Sequence, residues 1–228
     1  MAYRKVDEKS LSAVADSIRE KGGTTGALAF PDGFVSAVQA IQAGGGEADS
    51  SFKDVIEGTA VNPTLPIDLT KIRDYAFFNA TKLALTSLPN GVTSIGDQAF
   101  YNCQSLVLTS LPSGITKIRN SAFHSCSKLA LTSLPDGVTS IGSYAFYKCT
   151  RLAITSIPAG VTSIANNAFH NCYGLKQITF KGTPSSIEAN SFINTNITTF
   201  NVPWAEGAVA NAPWGATNAT INYNYTGE

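Results

Sequence analysis

Four cysteines, two histidines and a thin set of carboxylates are the residues in this chain that could do chemistry. Cys103, Cys126, Cys149 and Cys172 keep a constant step of 23 residues. A disulfide or zinc site needs sulfurs that converge in space, whereas a constant step predicts one column of thiols stacked above one another. That column begins with Ala80 and ends with Thr195, so small size is what the position requires. A small buried thiol is its expected occupant. His124 and His170 are two such steps apart, about 9–10 Å if a step advances by one strand spacing. That is too far for a shared metal. The repeating part of the chain holds only Asp68, Asp74, Asp97, Asp136 and Glu188 as acids. Asp74, Asp97 and Asn120 fall in one column, where a helix-start role is expected because a short polar side chain can cap the turn. No nucleophile motif, phosphate-binding loop or zinc-protease signature is present. These residues predict no enzyme, no metal and no cofactor.

The elements that carry these residues form a repeat. Ile72, Ile95, Ile118, Ile141, Ile164 and Ile187 share the 23-residue step, and so do Phe77, Phe100, Phe123, Phe146, Phe169 and Phe192. Leu83, Leu106, Leu129, Leu152 and Leu175 do likewise. Leu88, Leu111, Leu134 and Ile157 repeat too, each followed by proline. Each unit reads as a β-rich stretch stopped by proline, a turn at x-Gly, a second short strand Val-Thr-Ser-Ile, and one helical or 3₁₀ turn around Asp97–Asn102. A unit this small cannot close a core, so successive units must stack, with parallel strands about 4.8 Å apart.

Composition fits a repetitive surface. Only 14 % of the residues are charged, against roughly 25 % in an ordinary soluble protein. The sixteen bases and sixteen acids cancel, which argues against a nucleic-acid partner recruited by bulk charge. Residues 1–58 carry six bases and nine acids, and residues 59–199 carry ten bases and five acids. No run of 18 apolar residues predicts membrane insertion, and no secretory leader is visible at the first residues.

The repeat Leu-Thr-Ser-Leu-Pro, x-Gly-Val-Thr-Ser-Ile, x-x-Ala-Phe-x-x-Cys resembles that of the BspA-like leucine-rich-repeat family over about residues 60–200. Gly96 and Gly142 match the family glycine, while Arg73, Arg119 and Ala165 depart from it. The resemblance implies an α/β fold, a leucine-rich-repeat solenoid of 23-residue turns with stacked parallel strands. It implies a function only broadly, because the family includes bacterial surface proteins that bind matrix proteins or other cells, secreted proteins and many others.

Two rows are candidate binding stripes. The first is apolar. The family places an inward apolar residue where this chain has Thr86, Thr109, Thr132 and Thr155, while Leu85, Leu108, Leu131 and Ile154 sit one place earlier. Either a bulge turns these inward, which avoidance of long exposed apolar stripes favours, or they form an exposed ridge lined by Ser87, Ser110, Ser133 and Ser156. The second row follows the phenylalanine column by one residue: Phe78, Tyr101, His124, Tyr147 and His170. It reads as a semi-exposed packing row or as an aromatic interface.

The flanks complete a three-part division. Residues 1–46 place Leu11, Val14, Ile18, Phe34, Val38 and Ile41 at helical spacing before Gly44–Gly46, predicting a small helical attachment module and a linker. Residues 47–200 form the solenoid, and residues 201–228 a cap closed by Trp204, Val209 and Trp214, with an added strand over Thr220–Tyr225. The segment Leu11–Ile41 and the segment Val202–Ile221 resemble parts of tail- and baseplate-associated proteins of phages and prophages of gut Firmicutes. The resemblance implies a non-enzymatic particle protein that contacts a host surface and self-assembles, or joins the particle, through residues 1–43. The alternative is a cell-surface or secreted adhesin-like protein that binds a protein or a cell-surface glycan. Either places it on a virion or outside the cell, with a cytoplasmic stage before assembly or release.

Overall fold

The structure, a computed structural model, describes Leu65 and residues 67–227. The expected helical module and its apolar positions Leu11 to Ile41 lie outside the described residues, as does the boundary at residue 46.

Each turn contributes a Ser-Ile or Lys-Ile pair to a parallel ladder. These strands are β1 (Lys71–Ile72), β2 (Ser94–Ile95), β3 (Lys117–Ile118), β4 (Ser140–Ile141), β6 (Ser163–Ile164) and β8 (Ser186–Ile187). They pair in register at the repeat step, Ile72 with Ile95, Ile118 with Ile141, and Ile141 with Ile164. The isoleucine of each pair is buried, because alternation along a strand puts one side chain in and its neighbour out. A second parallel ladder, in the order β5 (Ser156–Ile157), β7 (Gln177–Phe180), β9 (Thr199–Asn201), β10 (Thr220–Asn222), forms towards the C-terminus.

The expected α/β class is corrected to an all-β solenoid, since no helix occurs among the described residues. The segment read as a helical or 3₁₀ turn is a chain of tight turns. Gln98 and Asn102 take φ of 54° and 58°, and the same columns are left-handed at Tyr75 and Asn79, Ser121 and Ser125, and Tyr144 and Lys148. A left-handed residue every fourth position interrupts a right-handed helix. The freed amides pair between turns instead: Tyr75, Phe77 and Asn79 N–H donate to the carbonyls of Asp97, Ala99 and Tyr101 at 2.7–2.9 Å. Spacing explains the choice. Packed helices sit about 8–10 Å apart, and the ladder on the other side of each turn advances by only about 4.8 Å. A segment that hydrogen-bonds to the next turn keeps that pitch, whereas a helix in every turn would splay the turns on its side and curve the stack.

The core is a set of ladders in which each column stacks on itself. Phe77, Phe100, Phe123, Phe146, Phe169 and Phe192 lie face to face with centroids 4.9–5.5 Å apart and planes within 13°. The end of the stack is closed by Trp214, buried against Phe180, Phe192, Phe200 and Trp204. Its carbonyl accepts the Phe192 N–H at 2.9 Å, continuing the inter-turn pattern into the closing segment. Its indole Nε1 donates to Ala210 at 2.8 Å. The strand expected over Thr220–Tyr225 is confined to Thr220–Asn222, paired with β9.

Candidate binding faces

The cysteines are buried and free. Each Sγ donates to the carbonyl of the column phenylalanine one turn back, Cys103 to Phe77, Cys126 to Phe100, Cys149 to Phe123 and Cys172 to Phe146, at 2.9–3.0 Å. Burial pushes all four thiols well above their ordinary range, since a thiolate there would lack solvation. They are packing groups, not nucleophiles. Among the described residues, no three of His, Cys, Asp or Glu are grouped to hold a metal.

The acid column does a structural task across turns. Asp74 Oδ1 accepts the N–H of Asp97 at 2.8 Å, Asp97 Oδ1 that of Asn120 at 3.0 Å, and Asn120 Oδ1 that of Ser143 at 3.0 Å. Each side chain therefore caps the following turn, where the sequence reading placed the cap on a helix start. The same packing explains Gly142, where a Cβ would come within 2.7 Å of the backbone nitrogen of Asn120.

Of the two placements open to Leu85, Leu108, Leu131 and Ile154, the chain adopts the inward one. They are 0–3 % exposed and belong to the core, so no apolar ridge forms. Two successive outward residues, such as Thr86 and Ser87, supply the extra step that lets both Leu85 and Leu88 face in. Ser87, Ser110 and Ser133 stay exposed and Ser156 is half-buried.

The row Phe78–Tyr101–His124–Tyr147–His170 is continuous and half-buried. Its first four rings stack at 4.8, 4.3 and 4.6 Å, and His170 meets Tyr147 edge-on at 5.0 Å. His124 sits between two tyrosines with Nδ1 3.0 Å from Ser125 Oγ. Partial burial, helped by the charge of Lys148, lowers its pKa to about 4. His170 is lowered by the same two causes, burial first, and its Nδ1 lies 3.0 Å from Asn167 Oδ1. Beside this row stand residues that the sequence reading did not single out. Tyr75, Tyr144 and Tyr173 are exposed by 44, 41 and 46 %. A hollow of about 460 Å³ is lined by Asn102, Gln104, Ser125, Lys148, Asn171 and Tyr173, among others. Its hydrogen-bonding groups are partly pre-set: Gln104 Nε2 donates to Asn102 Oδ1 at 2.8 Å, and Tyr173 Oη donates to Asn171 Oδ1 at 3.1 Å. The available signal was the column Asn79, Asn102, Ser125, Lys148, Asn171, rich in the residue that tolerates left-handed backbone.

The model of the BspA type leucine rich repeat region matches in six copies, over residues 49–153 and 99–207. The chain belongs to the BspA-type leucine-rich-repeat family. Among solved structures, a leucine rich cell surface protein from Faecalibacterium prausnitzii A2-165 is 32 % identical over 69 % of this chain, with a TM-score of 0.55. The match covers 44 % of that longer protein. A leucine rich repeat protein of T. pallidum matches at 25 % identity over 72 % of this chain and 70 % of its own, with a TM-score of 0.49. One from Bacteroides ovatus matches at 23 % over 73 % and 54 %, with a TM-score of 0.43. No curated protein matches the chain. Membership of this family makes the chain a repeat scaffold, and the cysteine and acid columns pack and cap it.

Proposed function

We propose that this BspA-type repeat protein acts at a bacterial cell surface or after secretion, where it presents a rigid solenoid edge to a protein or glycan ligand. The observation that carries the reading is the aromatic edge. Exposed Tyr75 and Tyr144 stand edge-on against Phe78 and Tyr147 of the half-buried row, and exposed Tyr173 lines the polar hollow. Tyr75 and Tyr144, held by neighbouring rings, and Tyr173, held by its hydrogen bond to Asn171, offer contact area at little entropic cost, and their hydroxyls and the nearby amides supply direction. The cell-surface part draws on the F. prausnitzii protein. Reading the chain as part of a phage particle finds no support in these matches.

Binding of the full chain to panels of host matrix proteins and neutral glycans tests the reading, with Tyr144→Ala/Tyr173→Ala as the probe. Loss of about tenfold or more in affinity, with unchanged circular dichroism, is expected if these rings are anchors. Ligands bound equally by wild type and variant would put the site elsewhere.

A further inference from the structure

The outward positions flanking the ladder isoleucine are Lys71 and Arg73 in the first turn, Ser94 and Gly96 in the second, and Lys117 and Arg119 in the third. From the fourth turn on, no cation occupies either position. Cation pairs thus stand two turns apart, about 10 Å at the pitch of parallel strands, with the smallest side chains between them. The result is an open hollow of about 450 Å³ walled by Lys71, Arg73 and Arg119 and floored by Ser94 and Gly96. Lys117 and Arg119 also line an adjoining hollow of about 290 Å³. The floor stays low because a Cβ at residue 96 would collide with the backbone nitrogen of Asp74.

This is also where the ladder is broken. β1 pairs with β2 and β3 with β4, but β2 and β3 belong to separate sheets. All four cations are exposed, and among the described residues none has an ion-pair partner within 4.0 Å. The acids at the rim, Asp74 and Asp97, turn Oδ1 to backbone N–H groups of the next turn.

We propose that this hollow binds a sulfated saccharide, with its sulfate groups bridging the two cation pairs. Pairs so far apart do not converge on a single small ion, but they suit a chain that carries charge at intervals. Arginine favours carboxylate and sulfate oxygens through its planar fork of donors. Apart from buried Ile72, the lining is polar and offers no apolar anchor of the kind a peptide side chain needs. The site shares no residue with the aromatic edge, so it stands or falls independently of the ligand assigned there.

Calorimetric titration of the full chain with a heparin-derived hexasaccharide, its desulfated form and a glutamate hexapeptide tests it. The sulfated probe should bind, more weakly as salt rises, and the other two should not. Arg73→Gln/Arg119→Gln should weaken binding by about tenfold or more, while Arg151→Gln/Lys176→Gln, which removes equal charge elsewhere, should stay within about twofold. No binding of the sulfated probe would overturn the proposal. So would equal losses in both double variants, which would mean bulk charge, or equally tight binding of the glutamate peptide.

Discussion

Phe77 and Phe78 begin two aromatic columns that run side by side along the solenoid and stack with similar spacing. Centroids are 4.9–5.5 Å apart in the first and 4.3–5.0 Å in the second. The inner column is phenylalanine in all six turns and 0–2 % exposed. The outer column is half-buried and holds phenylalanine, tyrosine, histidine and finally Ile193. Stacking geometry is therefore not what restricts the inner position to one residue type. Burial is: an enclosed ring must match its neighbours in volume and carry no polar atom that lacks a partner. An edge ring can point a hydroxyl or ring nitrogen at water, so the outer column can vary for contact.

The largest expected effect breaks the inner column. Phe123→Ala removes a fully buried ring held between Phe100 and Phe146 and should cost roughly 3–5 kcal/mol in denaturant melts. Tyr101→Ala, stacked just as closely in the outer column, should cost roughly 1 kcal/mol. Equal losses would show that stacking rather than burial governs both columns, and the contrast drawn above would fail.

Next in size is the thiol column that supports the inner ring. Cys126→Ala keeps a small side chain but leaves the second hydrogen bond to the Phe100 carbonyl unmade, while the N–H of Cys103 still donates to that oxygen. A loss of roughly 1–2 kcal/mol is expected. Alkylation at mildly alkaline pH should find the native thiols unreactive and all four cysteines of the chain reactive once denatured. Rapid labelling of Cys126 in the native protein would contradict a core position.

Column arithmetic made much of this legible in the sequence. A 23-residue step places the isoleucines, phenylalanines and cysteines in ladders whatever the details of the turn. It could not settle the segment around Ala99–Asn102, where local composition suits a helical turn as well as a tight one. Pitch decides that segment, and pitch is a property of the stack rather than of any one repeat. For Leu85 and its equivalents it favoured the inward placement that the chain adopts but did not fix it, because Leu-x-Leu-Thr-Ser-Leu can face in at Leu85 only if two consecutive residues face out. The basic hollow was hidden differently. Summed along the chain, ten bases and five acids over residues 59–199 look mild; read by column, three of those bases meet around Ser94 and Gly96 and a fourth, Lys117, lines the adjoining hollow.

The smallest expected effect sharpens the outer column. His124 is neutral in the folded protein until about pH 4, because burial between Tyr101 and Tyr147, with Lys148 nearby, disfavours its charged form. An unfolded histidine takes up its proton near pH 6.5. Between those values the unfolded state binds more protons, so stability rises with pH. His124's contribution is thus complete above about pH 6.5, declines as pH falls towards 4, and declines no further below it. The size of the decline is reduced by the ring's partial exposure to water. His124→Phe, which installs the residue found at Phe78, should flatten that part of the profile without changing the fold. Calorimetric melting at pH 7.5 and pH 5.0 gives the comparison, and a wild type and variant that lose the same Tm would show that His124 is solvated like a surface histidine.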